Sequence, residues 1–271
     1  MIQASKLPVM EHFYTLQGEG SHSGRAAYFI RLAGCDVGCV WCDVKESWDI
    51  HPNQYLSIET ILEEVSQTPT DFVVITGGEP TMHDLTALTS ALRQKGYEIA
   101  LETAGVHPLK GHIDWYCFSP KKFKAPLQEA YTLAQELKVV IAHPSDFEWA
   151  EQHAAQVTKE CVLYLQTEWD KQERFLPLII DYIKRNKKWK ISLQTHKYMQ
   201  IPWGFYFRSF LQYSSFNYRY LHNFRIQVQV KKPSNFLKKG KKPQWNSEIH
   251  KQVHLIMTRA SVCSMPHLQK T

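Results

Sequence analysis

The absences in this 271-residue chain narrow the possibilities first. It has no apolar run approaching the roughly 18 residues that a membrane span requires, and its opening, MIQASKLPVMEHFYTLQGEG, lacks the basic, apolar and small-residue zones of a secretory signal. Both absences predict a cytoplasmic protein with no membrane partner. A disulfide framework is missing as well. Of six cysteines, Cys35, Cys39 and Cys42 crowd into eight residues, while Cys117, Cys161 and Cys263 are scattered. There is no clear short-period repeat and no low-complexity block.

Acidic residues are scarce in one region only. The chain carries 32 Lys and Arg against 26 Asp and Glu, a formal charge of +6. Residues 203–271 hold twelve of the basic residues and a single acid, Glu248, so the net balance of residues 1–202 is −5. The chain therefore divides into an acidic body, 1–202, and an atypical basic extension, 203–271. The extension has twelve aromatics without a clear period and a Lys-rich run over 231–242. It is readable as a poorly ordered appendage, as a basic and aromatic surface for single-stranded RNA, or as an extra hairpin. An acidic body argues against nucleic acid as the principal partner.

What is present in the body is alternation. Short apolar, β-branched runs at 27–32, 72–76, 98–103, 115–119, 137–142, 161–166 and 190–194 read as strands of a buried parallel sheet. Between them, Ile58, Ile61, Leu62 and Val65 recur at helical spacing after a Ser57 cap, and Leu85, Leu88 and Leu92 repeat that face until Lys95 and Gly96. Further helices are expected at 146–155 and 171–187, the second with Pro177 as a kink or a late start. The fold class is α/β. About 200 residues are too few for a complete eight-fold barrel, which takes about 250, so a partial, open (β/α) barrel resembling a TIM barrel is expected.

The segment IRLAGCDVGCVWCDV sets Cys35, Cys39 and Cys42 at C-x3-C-x2-C. Three thiolates on a tight loop can hold three irons of a four-iron cubane and leave the fourth iron open. Structural zinc would require a fourth ligand, for which His51 is the nearest downstream candidate. A second motif, Thr76-Gly77-Gly78-Glu79-Pro80, follows the apolar run FVVI. Two glycines there would let backbone approach a ligand at the carboxyl end of a strand.

The cysteine spacing, with Trp41 directly before the third thiol, resembles the signature of radical S-adenosylmethionine (SAM) enzymes, and TGGEP resembles the loop by which that superfamily holds the SAM amino group through backbone and Glu. Within the superfamily the chain resembles the 7-carboxy-7-deazaguanine synthases of queuosine biosynthesis. The resemblance is carried by Leu16-Gln17-Gly18-Glu19-Gly20, Phe29-Ile30-Arg31-Leu32, Trp41-Cys42-Asp43, TGGEP, Glu102-Thr103, Ser119-Pro120-Lys121, Gln166-Thr167-Glu168-Trp169-Asp170 and Gln194-Thr195-His196-Lys197.

The resemblance implies a radical ring contraction of 6-carboxy-5,6,7,8-tetrahydropterin with release of ammonia and no side-chain nucleophile. It assigns Cys35, Cys39 and Cys42 to a 4Fe-4S cluster. Leu16, Gln17, Gly18, Arg31 and Thr76 go to the substrate, and Trp41, Cys42, Asp43, Gly78, Ser119, Pro120, Lys121, Gln166, Thr167, Glu168 and Trp169 to SAM. A homodimer and a flavodoxin or ferredoxin as electron donor are implied too. Mg2+ is implied less securely, because Val44 stands where many members carry a Thr ligand and has no side-chain oxygen. Outside that context, Arg31 reads as an ion-pair partner for a surface acid, Ser119-Pro120 as a strand-ending turn and Gln194 to Lys197 as a solvated chain end. Two other functions share part of the pattern: an activase that installs a glycyl radical on a protein, and a metal-stapled RNA-binding module.

Overall fold

The computed structural model describes residues 6–201. The basic extension, 203–271, and Cys263 lie outside the described residues.

Nine strands form one open sheet in the order β3-β1-β2-β4-β5-β6-β7-β8-β9. They are β1 (Lys6–Leu16), β2 (Ala26–Leu32), β3 (Tyr55–Ser57), β4 (Phe72–Gly77), β5 (Glu98–Thr103), β6 (Trp115–Phe118), β7 (Glu136–Ile141), β8 (Val162–Thr167) and β9 (Trp189–Ser192). From β2 onward the neighbours β4 to β9 are all parallel. The expected partial barrel is this parallel run. Sequence patterning misses β1 and β3, which extend the sheet antiparallel beyond β2. Pro8 and the polar residues of KLPVMEHFYTL blur any alternation in β1, and three residues are too short a window to read for β3.

Helices cover the outer face. In α1 (Ile58–Ser66) the Ser57 hydroxyl accepts from the Thr60 amide at 3.2 Å, and Ile58, Ile61 and Val65 are buried. In α2 (Thr86–Gln94) Leu88 and Leu92 are buried, and the chain leaves through Gly96 at φ 84°. The short α3 (Gln128–Leu133) has no counterpart among the expected helices; α4 (Asp146–Ala154) lies at the helix expected over 146–155. The long α5 (Gln172–Arg185) lies where the helix at 171–187 is expected; of the two readings of Pro177 it excludes the late start, since it begins five residues before the proline and runs through it. Its buried Phe175 and Ile179 flank the proline, so sheet packing outweighs the one amide that Pro cannot supply. A final turn, α6 (Thr195–Tyr198), follows β9.

Strand alternation gives the two sheet faces different chemistry. Ile30, Leu32, Val73, Ile75, Ile99, Leu101, Leu137, Val139 and Ile141 join the main core with the helices. The opposite, inner face carries Ala27, Phe29, Phe72, Val74 and Ala100 as an apolar floor. One step further toward the carboxyl ends, Arg31, Thr76, Glu102 and Lys138 continue the same face. The inner face therefore turns polar where the functional loops begin.

Candidate functional site

A cavity of about 230 Å³ opens at the carboxyl ends of the parallel strands. Its walls are the Gln17–Glu19 turn after β1, the cysteine loop after β2, the TGGEP loop after β4, the polar ends of β5 to β8, and Gln194 to Lys197.

The cysteine loop is held from three sides. Gly34 donates to the Ser47 carbonyl at 2.7 Å and Cys35 to that of Trp48 at 3.2 Å, which closes the loop on itself. Val37 and Cys39 pack on Ala104 and Val106 beyond β5. Asp36 receives His107 Nε2 at 3.0 Å and also pairs with Lys124. All three thiols are free and face the cavity. Burial raises the Cys35 thiol above its ordinary value and pushes Cys39 up to about 11, so iron binding would have to displace their protons.

Those thiols suit a cubane better than a single ion. Around zinc, with bonds of about 2.3 Å, sulfurs would lie about 3.8 Å apart. Among the described residues no three Cys, His, Asp or Glu side chains converge closely enough to hold one metal ion. His51, the required fourth zinc ligand, is exposed at the turn Pro52–Gln54 and does not line the cavity. Each thiolate of a cubane binds its own iron and needs no such convergence.

The TGGEP loop lines the cavity and is fastened to the cysteine loop. Gly77 has φ 132°, and a Cβ there would sit 2.2 Å from the Leu32 carbonyl oxygen; at Gly78 it would sit 2.2 Å from that of Gly34. The glycines therefore admit the backbone of the cysteine loop, with Gly78 N donating to Leu32 O at 2.8 Å and Glu79 N to Gly34 O at 2.8 Å. The Glu79 carboxylate is 1% exposed and accepts from the Thr81 amide and hydroxyl, the Thr103 hydroxyl and the Ala104 amide. It ties this loop to the end of β5.

At the strand ends, Gln17 donates to Glu102 Oε1 at 3.0 Å and Thr76 to Glu102 Oε2 at 3.1 Å. Arg31 pairs through Nε with Glu11 at 2.7 Å, with only 6% of its side chain exposed. The ion-pair reading of Arg31 is thus correct about an acidic partner but wrong about the surface. Leu16 sits at the mouth, 36% exposed. A Cβ on Gly18 would collide with the His196 ring, and Thr195 donates to the Gly18 carbonyl at 2.9 Å, so Gln194 to Lys197 form a wall and not a solvated end.

On the third side, Lys121 donates to the Ser119 carbonyl and hydroxyl at 2.7 and 2.6 Å and lies 5.8 Å from the Trp41 ring centre. Gln166, 4% exposed, accepts from Ser192 at 2.6 Å. Thr167, Glu168 and Trp169 follow along the rim, and Lys197 lies 5.0 Å from the Trp169 ring centre. Every residue expected at the site lines this cavity except Pro120, which lines a neighbouring hollow shared with Trp41 and Lys121.

At the position expected for Mg2+, Val44 lines the cavity without a side-chain oxygen, and Lys197 Nζ lies 3.0 Å from Asp43 Oδ2, so a divalent ion held through Asp43 would compete with that ammonium.

Motif reading passed over Lys138 and Val140, which also line the cavity. Both hide in the apolar run ELKVVI, where the available signal was a Lys two residues after a Glu on one face of an otherwise apolar strand.

Comparison with known proteins joins these observations. The radical SAM superfamily signature matches residues 29–141, from β2 to the end of β7. The 7-carboxy-7-deazaguanine synthase of Flavobacterium psychrophilum is 51% identical over 196 residues, covering 72% of this chain and 93% of that protein. The Synechocystis enzyme of that name is 48% identical over 197 residues, with the same two shares. The crystal structure of QueE from Escherichia coli superposes with a TM-score of 0.63 at 33% identity, covering 69% of this chain and 93% of that one. With three thiols, a glycine-fastened loop and a polar strand layer around one cavity, and with these relatives spanned nearly end to end, the chain belongs to the 7-carboxy-7-deazaguanine synthase family of radical SAM enzymes.

Proposed function

We propose that this chain contracts the ring of 6-carboxy-5,6,7,8-tetrahydropterin to 7-carboxy-7-deazaguanine, the product in its relatives' names, with ammonia as the second product; the pterin and the ammonia are what the family resemblance implies. The observation that carries the reading is a single cavity with a thiol-lined end and an end lined by Arg31, Gln17, Thr76 and Glu102. Cys35, Cys39 and Cys42 would hold the cluster. Trp41, Asp43, Gly78, Ser119, Lys121 and Gln166 to Trp169 would hold SAM, with Pro120 shaping the adjoining hollow.

When bound, cluster and SAM together supply one-electron chemistry able to remove hydrogen from an unactivated carbon. The protein's residues do the remainder. Arg31 offers a planar cationic fork for the pterin carboxylate, and Gln17, Thr76 and Glu102 offer amide, hydroxyl and carboxylate groups for the ring edges. Phe29 lines the cavity and packs with Val74 and Ala100, which gives it an apolar floor. With Asp43 engaged by Lys197, activity should depend little on Mg2+. A cytoplasmic homodimer fed by flavodoxin or ferredoxin belongs to the same proposal and rests on the resemblance. Among the described residues no helix is long and apolar enough to cross a membrane.

The test is anaerobic reconstitution with iron and sulfide, then incubation with SAM, a reductant and the carboxytetrahydropterin. The deazaguanine chromophore should grow in step with ammonia. SAM cleavage without either product would overturn the substrate assignment.

A further inference from the structure

Lys138 is the feature least explained by a core strand. Leu137, Val139 and Ile141 of β7 point into the helical core, while Lys138 points the other way and leaves only 6% of its side chain exposed. Its ammonium lies 2.6 Å from Glu19 Oε2 and 3.6 Å from Glu102 Oε1. Those two carboxylates come from opposite parts of the chain, the turn after β1 and the end of β5. Gln194 donates to the other Glu19 oxygen at 3.0 Å, and Gln17 and Thr76 donate to Glu102. Lys138, Glu19 and Glu102 all line the cavity.

Burying an ammonium is costly unless it is well paired, and a hydrophobic residue of similar volume would often serve stability as well. A cation retained between two cavity carboxylates therefore calls for a role in what the cavity binds. We propose that Lys138 is a positioning residue: its buried ammonium aims the Glu19 and Glu102 carboxylates across the cavity, so that they receive the N–H donors of the substrate's ring edge. The ring class rests on the function proposed above; the ion triad does not.

The electrostatics agree in sign. Burial alone would lower the Lys138 ammonium, but Glu102, Glu19, Cys117 and Glu136 around it hold it well above its ordinary value. Such a group is a fixed cation and a poor proton donor. Burial would raise Glu19, but Lys138, helped by Gln194 and His196, holds its carboxyl well below the usual range. The Lys138 charge also reaches Lys121, whose ammonium burial lowers with the help of that charge. Without Lys138, Glu19 keeps the burial and loses its main counter-charge, so its carboxyl should rise toward neutrality.

The experiment compares the full-length wild type with Lys138→Met and Lys138→Arg. The first readout, thermal melting between pH 5 and 8, needs no substrate. Relative to the wild type and to Lys138→Arg, Lys138→Met should gain stability as the pH falls, because a carboxyl raised in the folded state is stabilised by protonation. The second readout is kinetic. KM for the carboxytetrahydropterin should rise about tenfold or more in Lys138→Met and recover in part in Lys138→Arg, with SAM affinity unchanged in both. A melting profile parallel to that of the wild type, with unchanged KM, in Lys138→Met overturns the proposal. If Lys138→Met does not fold, Lys138→Met combined with Glu19→Gln removes the stranded charge and should restore folding; continued failure overturns the pairing. If the wild type leaves the pterin unconverted, the substrate reading fails while the melting profile still decides the role of Lys138.

Discussion

Cys39 shows how little of a residue's role lies in its own chemistry. Its thiol is buried and pushed up to about 11, the profile of an inert core cysteine, yet it shares a loop and a cavity with Cys35 and Cys42. Cys39→Ala should reduce the iron and sulfide content of reconstituted protein to near background, whereas Cys161→Ala, buried at the entrance to β8, should retain it; elemental analysis separates the two. Val44 makes the converse point, an absence legible from sequence whose consequence depends on Lys197, 153 residues away. Turnover should change little on chelation of Mg2+, and Val44→Thr alone should not create a strong requirement while Lys197 still holds Asp43. A sharp Mg2+ dependence in the wild type would refute this. At Gly77 two constraints coincide, a φ of 132° and a backbone oxygen 2.2 Å from any added Cβ. Gly77→Ala should cost at least about 2 kcal/mol in a denaturant titration, if the protein folds at all.

At the scale of elements, helices with a periodic apolar face and a cap, such as α1 and α2, were legible because their signals are local. β1 was not, because its partner β2 supplies the register that its own residues do not display. The packing of α3 on α4 has a pH signature. The Tyr131 hydroxyl and His153 Nδ1 lie 2.7 Å apart with their rings stacked, and burial lowers the imidazole from 6.5 to about 4. An imidazole depressed in the fold binds its proton more readily in the unfolded chain. This contribution to stability is therefore complete above about pH 6.5 and is lost as the pH falls toward 4. Replacing His153 with Gln should flatten the melting temperature across that window. An acid slope that survives the substitution would place its origin in another group.

At the scale of the whole molecule, every residue expected at the site falls between Leu16 and Trp169, and the nine strands among the described residues lie between Lys6 and Ser192. A chain stopped after Pro202 should therefore fold, bind the cluster and turn over at least as well as the full chain. Circular dichroism and the chromophore assay check both halves of that expectation, and loss of either would assign a structural or site-closing role to residues 203–271. The sequence by itself determined the α/β class, the parallel strand order's raw material and the chemistry of the motifs, because strand and helix periods, thiol spacing and paired glycines are properties of neighbouring residues. Tertiary structure alone decided which atoms meet. The glycines serve the backbone of the cysteine loop, Glu79 is consumed in fastening that loop to β5, and Lys138 turns out of an apolar run to stand between Glu19 and Glu102. Each of these is a contact between segments tens of residues apart. It exists only because the strands close side by side and bring their carboxyl ends around one cavity.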